Sequence, residues 1–267
     1  MKDQKIAFVL AMHHSDKIRP NGLSVIHRFL DSLRKSCEFD YTVFLFDNES
    51  TEKIDLSKYS DMDIKYTYIE DQSIGALTGT WNAGCKRAYE ENYDQIYISN
   101  DDLILNKSIN ELISIVSTHE HKDIGIFGPL CQPDGVLGGP QGSSSSGHNI
   151  REITGTGEVD ENPTSGALLN GFFFGFTNKF YDTFKLDDGY VFNKGEKYKW
   201  SANECEFQLR LWKEGVKSFV VEKCWIYHEK IRSWKYQYGE RHSFGDMMKK
   251  SLDKLSDYQV NWKQLME

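Results

Sequence analysis

The chain has 267 residues, 39% of them hydrophobic and 27% charged, which is enough to bury one large core. Its formal net charge of −8 disfavours nucleic acid as a partner, because a phosphate backbone binds basic surfaces. The mean hydropathy is −0.57, and no apolar run approaches the 20 residues of a transmembrane helix. The first apolar stretch is too short for a signal peptide, so we expect a cytoplasmic protein without a transmembrane segment.

The five cysteines are scattered, and no two of them have the Cys-x-x-Cys spacing. An odd count without such a pair indicates neither a disulfide framework nor a zinc ribbon. We therefore expect free thiols that are buried in the fold.

Short apolar runs alternate with segments of helical periodicity through the first half of the chain. The predicted strands are 6–10, 41–46, 64–69, 95–99 and 124–127, and the predicted helices are 23–33, 81–89 and 109–116. This alternation predicts an α/β fold with a mainly parallel central sheet flanked by helices. Ligands of such sheets bind beyond the carboxyl ends of the strands.

The second half of the chain is less regular. Residues 138–147 are rich in glycine and serine, and they predict either a mobile loop or a lid over bound substrate. An apolar, aromatic stretch at 167–176 is followed by a helix at 203–214, a strand at 218–221 and a polar helical tail. Gly215 suits the C-cap of that helix.

Acidic and amide side chains follow two of the predicted strands. Asp47 ends the second strand, and Asn100, Asp101 and Asp102 follow the fourth. Carboxylates in this position suit a hard divalent cation or the hydroxyl and N–H groups of a nucleotide. The alternative is a polar turn or a helix cap, because Asn and Asp favour both.

Two later segments carry further candidates. Glu204 and Glu206 open the 203–214 helix, where a carboxylate could act as a general base or could simply complement the helix dipole. His228 follows a strand and is either a metal ligand or a structural histidine. Lys230 and Arg232 come next and could bind phosphate oxygens.

In their order and spacing, these segments resemble the inverting glycosyltransferases of GT-A fold, and family 2 in particular. Residues 44–51 resemble the second-strand sequence of that family, and 80–84 resemble the segment that opens the helix before its metal motif. Residues 99–102 are similar to the D-x-D motif in an N-x-D form, and 203–206 to the E-D-x-D element. The resemblance spans about residues 6–233.

The resemblance implies roles for individual residues. It implies that Glu204 is the catalytic base and that Asp102 and His228 bind Mn²⁺ or Mg²⁺. It implies nucleotide-sugar contacts by Asp47, Asn82, Asn100, Asp101 and Asp102. Candidate contacts with acceptor or phosphate are Trp200, Glu206, Lys230 and Arg232.

The resemblance also implies one GT-A domain over 1–267. We expect a nucleotide-sugar-binding half at 1–128, an acceptor and catalytic half at 129–235, and a helical tail at 236–267. The expected donor is a UDP-, GDP- or dTDP-sugar, and the expected acceptor is a hydroxyl of a carbohydrate or glycoconjugate. The expected reaction is sugar transfer with inversion.

Three other functions are compatible with parts of the sequence. Asn100 and Asn203 replace acidic residues of the family, which is compatible with an inactive nucleotide-sugar- or carbohydrate-binding protein of the same fold. A nucleotidyltransferase would need a basic, glycine-rich loop after the first strand, and His13 and His14 stand there instead. A metallohydrolase using these two histidines and His228 would lack the usual H-E-x-x-H spacing.

Overall fold

The computed structural model describes residues 4–17, 19–70, 76–118, 125–131, 150–153, 168–195, 198 and 203–229. Its strands are β1 (Ile6–Met12), β2 (Tyr41–Asn48), β3 (Asp63–Ile69), β4 (Gln95–Asn100), β5 (Leu103–Ile104), β6 (Gly125–Cys131), β7 (Ile150–Ile153), β8 (Phe173–Thr177) and β9 (Lys217–His228). Its α-helices are α1 (Gly22–Ser36), α2 (Ala76–Glu90), α3 (Ile109–Thr118), α4 (Tyr181–Phe184) and α5 (Asn203–Lys213).

The described strands form one sheet in the order β3-β2-β1-β4-β8-β6-β9-β5, and β7 pairs with β9 as well. The first four strands in this order are parallel. β8 is antiparallel to both of its neighbours, β4 and β6, and β6 is parallel to β9. The predicted α/β fold with a mainly parallel sheet is confirmed. An antiparallel strand, β8, is inserted at its centre, and the short strands β5 and β7 run antiparallel to β9.

Helices cover both faces of this sheet. The buried side chains of α1 recur every three or four residues, and Ile26, Phe29, Leu30 and Leu33 join α3 in one apolar cluster. Trp81 of α2 and Phe207 of α5 lie in a second cluster on the opposite face. Burying each large side chain contributes about 1.5–3 kcal/mol, so both layers hold the strands in place.

Helix α2 lies unusually close to β1 because Gly84 has no side chain. A Cβ atom at Gly84 would stand 2.3 Å from Cγ1 of Val9. This contact explains the glycine of the 80–84 segment by packing rather than by ligand binding.

The expected division at residue 128 falls inside β6, so strands from both halves belong to one sheet. The division into functional halves stays a prediction. Within the described part of the chain, no helix is both long enough and apolar enough to cross a bilayer.

All five cysteines are free thiols. Cys85, Cys131 and Cys224 are buried as expected, whereas Cys37 and Cys205 are partly accessible. Burial raises the thiol pKa of Cys37 to about 11 and that of Cys224 to about 12. Such thiols stay protonated and unreactive at neutral pH.

Candidate active site at the carboxyl edge of the sheet

The three strands β2, β1 and β4 end at the same edge of the sheet. Met12 is the register partner of Asp47, and Ala11 is the partner of Asn100. Because neighbouring strands are about 4.8 Å apart, the Cα atoms of Asp47 and Asn100 lie at about 10 Å from each other. The polar ends of β2 and β4 therefore share one edge.

Asp47 is fully buried and is held by two hydrogen bonds. The Ser50 N–H donates to its Oδ1 at 3.1 Å, and the Tyr66 hydroxyl donates to its Oδ2 at 2.7 Å. Burial, followed by the hydrogen bond to Asp47, raises the pKa of Tyr66, so this hydroxyl stays a donor at neutral pH. These bonds give Asp47 a role in fixing the turn after β2, and a contact with the nucleobase stays a prediction.

The end of β1 is fastened to the end of β2. His13 Nδ1 lies 2.7 Å from the Asn48 carbonyl oxygen, and the His14 N–H donates to Ser50 Oγ at 2.8 Å.

Across the described ranges, no group of three or more His, Cys, Asp or Glu residues could hold a metal ion. His13, His14 and His228, which all lie in these ranges, therefore do not form such a group.

Asp101 forms a buried, two-pronged ion pair with Arg19, a residue of the loop before α1. The two guanidinium nitrogens lie 2.6 and 2.7 Å from the carboxylate oxygens. Burial raises the pKa of Asp101, and the positive charge of Arg19 only partly offsets this effect. For Arg19, burial lowers the pKa, but the negative charge of Asp101 and its hydrogen bonds outweigh burial, so the pKa of Arg19 is raised. Asp101 therefore fixes residues 100–102 to the loop before α1. Nothing in the sequence pattern indicated that Arg19 would be its partner.

The two predicted metal ligands lie side by side. Strand β5 follows the N-D-D motif and pairs with β9 so that Leu103 faces His228. Asp102 Oδ1 consequently lies 3.2 Å from His228 Nε2, and the Asp102 carbonyl accepts the Glu229 N–H at 2.9 Å. Adjacent ligands about 2.1 Å from one ion are about 3.0 Å apart, so an imidazole and a carboxylate at this distance fit a shared cation.

Helix α5, which carries Glu204, contacts residues 169–172, and we call these residues the bridging segment. The side-chain amide of Gln208 in α5 bonds the backbone of Leu169 in both directions, each at 2.8 Å. A Cβ atom on Gly171 would stand 2.9 Å from the carboxyl carbon of Glu204. The Glu204 side chain thus packs directly on the backbone of Gly171.

The next residue of the bridging segment contacts the metal pair. The Phe172 carbonyl accepts the Asn100 N–H at 2.8 Å, and its ring stacks on His228 with centroids 5.2 Å apart. Consecutive residues of one segment therefore contact Glu204 on one side and His228 on the other. This segment therefore links the predicted base to His228, and His228 lies 3.2 Å from Asp102, the other predicted metal ligand.

The start of α5 is fixed by Asn203, which is fully buried. Its side-chain NH₂ donates to Thr78 Oγ1 at 2.9 Å, and its Oδ1 accepts the Glu204 N–H at 3.0 Å. Thr78 in turn donates to the Tyr198 carbonyl at 2.6 Å. Asn203, which replaces an acidic residue of the family, therefore orients the backbone that carries Glu204.

Asn82 has both ends of its amide bonded to the backbone of Phe192, each at 2.8 Å, and only 2% of its surface is exposed. Glu206 is 1% exposed and lies 3.3 Å from Arg210 Nε. These contacts favour structural roles for Asn82 and Glu206 over the expected ligand contacts. Trp200, Lys230, Arg232, residues 138–147 and residues 236–267 lie outside the described part of the chain.

Comparison with known proteins identifies the fold. No family model and no curated protein matches the sequence. Among solved structures, the chain is similar to S. aureus TarS 1–349 in complex with UDP, with a TM-score of 0.55 and 18% identity over 84% of this chain and 60% of that one. It is also similar to TarS 1–349 in complex with UDP-GlcNAc, with a TM-score of 0.53 and 16% identity over 84% and 58% of the two chains.

A second protein shares this architecture more extensively. The structure of GalNAc-T7 with UDP, GalNAc and Mn²⁺ matches with a TM-score of 0.62 and 14% identity, over 96% of this chain and 49% of that one. The chain therefore spans about half to 60% of the length of these three structures. The likenesses show that it has the GT-A glycosyltransferase fold, as the motif resemblance predicted.

Proposed function

We propose that the chain is a glycosyltransferase that moves a sugar from a nucleotide-diphosphate donor to an acceptor hydroxyl with inversion. The observation that carries this proposal is that the bridging segment contacts Glu204 and His228, and that His228 lies 3.2 Å from Asp102 at the carboxyl edge. That edge is where ligands of parallel α/β sheets bind.

A UDP-sugar is the donor class we favour among UDP-, GDP- and dTDP-sugars. TarS was solved with UDP and with UDP-GlcNAc, and GalNAc-T7 with UDP, GalNAc and Mn²⁺. The acceptor we propose is a hydroxyl of a carbohydrate or glycoconjugate, and the cytoplasmic location stays a prediction of the sequence.

Asp102 and His228 are the residues that would hold Mn²⁺ or Mg²⁺. Two protein ligands suit a cation of this kind, which takes its remaining ligands from water and substrate phosphates. A bound divalent cation would supply positive charge that offsets the negative charge developing on the leaving diphosphate.

Glu204 would accept the proton of the acceptor hydroxyl while the hydroxyl oxygen attacks the anomeric carbon. The bond from that carbon to the diphosphate breaks at the same time, and its electron pair leaves with the phosphate oxygen. Attack from the opposite face inverts the anomeric centre without a covalent sugar–enzyme intermediate. Gly171 and Asn203 would orient the carboxylate, because one packs on its side chain and the other bonds its backbone.

A donor screen tests the proposal directly. The chain is incubated with UDP-, GDP- and dTDP-sugars in Mn²⁺ or in EDTA, and release of nucleoside diphosphate is measured beside thermal stabilisation. We expect one donor class to be hydrolysed slowly in Mn²⁺ and not in EDTA. Stabilisation without any release would indicate the inactive binding protein, and the absence of both would contradict the proposal.

A further inference from the structure

Two arginines from one stretch of chain contact the residues next to the proposed metal ligands. Arg19, in the loop before α1, pairs with Asp101, the residue before Asp102. Arg28, in α1, pairs with Glu229, the residue after His228. Each of the two strand ends that bring a metal ligand is therefore tied to the same short segment.

The ion pair between Arg19 and Asp101 is buried, and hydrogen bonds fix the backbone of Arg19. The side chains of Arg19 and Asp101 are 8% and 6% exposed, and the pair is two-pronged. The Arg19 N–H donates to the Ser15 carbonyl at 2.8 Å, and its carbonyl accepts the Gly22 N–H at 3.0 Å. The backbone of Arg19 therefore has a fixed place relative to α1.

The second tie joins α1 to β9. Arg28 Nε lies 3.0 Å from Glu229 Oε1, and Arg28 Nη2 lies 2.9 Å from Oε2. The backbone N–H of Glu229 donates to the Asp102 carbonyl, so Glu229 also contacts the other proposed ligand directly. The side chain of Glu229 is 19% exposed and that of Arg28 is 42% exposed.

The strand pairing between the two ligands is short. In the described chain β5 contributes two register pairs, Leu103 with His228 and Ile104 with Tyr227. A ladder of this length fixes the relative position of two strands weakly. Hydrogen bonds continue it at both ends, from the Glu229 N–H to the Asp102 carbonyl and from the Asn106 side-chain amide to the Trp225 carbonyl. The ion pairs from α1 add a further constraint at the end that carries the two ligands.

We infer that Arg19 and Arg28 are positioning residues that together hold Asp102 and His228 at the separation required to share one cation. The inference rests on the proposed function for the identity of that cation, but it concerns the geometry of this chain alone. Removing a group that hydrogen-bonds a metal ligand directly typically changes metal affinity about 10- to 100-fold. Arg19 and Arg28 hold the residues next to the ligands instead, and we take the same range as the largest effect to expect.

Arg34 provides a matched control on the same helix. It pairs with Asp31 and Asp61, both at 3.3 Å, and its side chain is 32% exposed. It lies two turns beyond Arg28, and its partners belong to α1 and to the segment before β3. Arg34→Met removes the same charge from α1 without touching either strand end.

Mn²⁺ affinity of the full chain is the first readout, measured by the loss of the free-ion electron paramagnetic resonance signal. We expect Arg28→Met to weaken Mn²⁺ binding about 10- to 100-fold, Arg28→Lys to recover part of the loss, and Arg34→Met to change it less than about twofold. Arg19→Lys, which keeps the charge but loses the two-pronged geometry, should also weaken binding. Equal affinities of Arg28→Met and Arg34→Met would overturn the inference.

The side-chain nitrogen resonances of His228 in the metal-free, ¹⁵N-labelled protein are the second readout, assigned with His228→Gln. We expect them to shift in Arg28→Met and Arg19→Lys and to stay unchanged in Arg34→Met, because the contact with Asp102 loosens only in the first two. If the wild type binds no Mn²⁺, the proposed metal role fails, and these spectra still decide the inference. Unchanged spectra in all three variants would overturn it.

Discussion

The two edges of the sheet carry similar polar residues but arrange them differently. At the amino edge, a cavity of about 610 Å³ is lined by Lys5, Phe39, Asp40, Tyr41, Thr42, Asp61, Met62, Asp63, Lys65, Glu91 and Tyr93. At the carboxyl edge, the bridging segment contacts Glu204 and His228, and Asp102 lies beside His228. The cavity therefore lies at the opposite end of the strands from the residues that could perform chemistry.

The polar groups at the amino edge satisfy one another in a chain. Lys65 pairs with Glu91, and its Nζ lies 3.2 Å from the Tyr93 hydroxyl. That hydroxyl donates to Thr42 Oγ1 at 2.8 Å, and Thr42 donates to Asp63. Such a network ties the starts of β2 and β3 to the turn before β4, which is a structural task.

At the carboxyl edge, by contrast, the contacts join elements that are far apart in the sequence, namely α5, the turn after β4 and β9. Glu204 comes from α5, Asp102 from the turn after β4 and His228 from β9, and one backbone segment touches the first and the last. In this molecule, the position of an edge in the parallel sheet, together with residue chemistry, locates the candidate site better than the volume of a cavity does.

The largest expected effect concerns the proposed base. Glu204→Gln keeps the size of the side chain but cannot accept the proton, so sugar transfer should fall by about 100- to 10,000-fold while UDP binding is retained. Steady-state transfer and UDP titration measure the two quantities. Glu214→Gln, at an exposed position just past α5, is the control and should be fully active; equal activity of both variants would remove Glu204 from the mechanism.

A smaller loss is expected when the bridging segment is altered. A methyl group at Gly171 would stand 2.9 Å from the carboxyl carbon of Glu204, so Gly171→Ala must displace that carboxylate. A misplacement of about 1 Å costs up to about 100-fold in turnover, with less effect on UDP binding. In the control Gly195→Ala the nearest atom is the Asn193 side-chain oxygen at 3.1 Å, and a matching loss of kcat in that variant would argue against the contact.

The smallest effect is expected at the amino edge. Hydrogen bonds from Lys65 and then Arg87 lower the pKa of Glu91 from its ordinary value of 4.5. A depressed carboxyl pKa stabilises the fold above the unfolded pKa, and this stabilisation is lost as pH falls through the folded pKa. Glu91→Gln should therefore cost roughly 0.5–1 kcal/mol at pH 7 and progressively less as the pH falls below 4.5, as denaturant unfolding at pH 7 and at several lower pH values would measure.

Transfer activity separates the two edges in the same variant. Glu91→Gln should leave sugar transfer within about twofold of wild type, because Glu91 belongs to the structural network. A strong loss of transfer in this variant would break the comparison and would point to the cavity as part of the site.

The sequence predicted the strand ends well because buried parallel strands have a local signature. Asp47 and the N-D-D motif follow continuous apolar runs, and the fold brings such ends to one edge. The end of α5 was predictable as well, because a glycine follows the helical segment and favours a C-cap. In the structure Gly215 has the positive φ of 79° that this cap requires.

Other features had no local signature. Arg19 pairs with a residue 82 positions away, and a single arginine in a loop indicates no partner. The apolar, aromatic stretch at 167–176 gave no sign of these contacts, and only the three-dimensional structure reveals that Gly171 and Phe172 touch two candidate site residues. Alternation also carries no direction, so it could not indicate that β8 is antiparallel.

Strand β9 extends to His228, well beyond the predicted strand at 218–221, because its apolar pattern is interrupted. Its register with β6 shifts between Pro129 and Leu130, and buried Glu222 is followed by exposed Lys223, which interrupts the apolar run. An irregularity of this kind changes which face a residue occupies, so the pattern breaks although the strand continues.

The most direct test of the central claim is whether a nucleotide binds at Asp102 through a divalent cation. Thermal unfolding is measured with saturating UDP in Mn²⁺ and in EDTA, for wild type, Asp102→Asn and the distant control Asp61→Asn. At UDP about 100-fold above its Kd we expect about 2.7 kcal/mol of stabilisation, or roughly 5–10 °C, in Mn²⁺ for wild type and Asp61→Asn only. Equal stabilisation of Asp102→Asn, or no difference between Mn²⁺ and EDTA, would contradict the account.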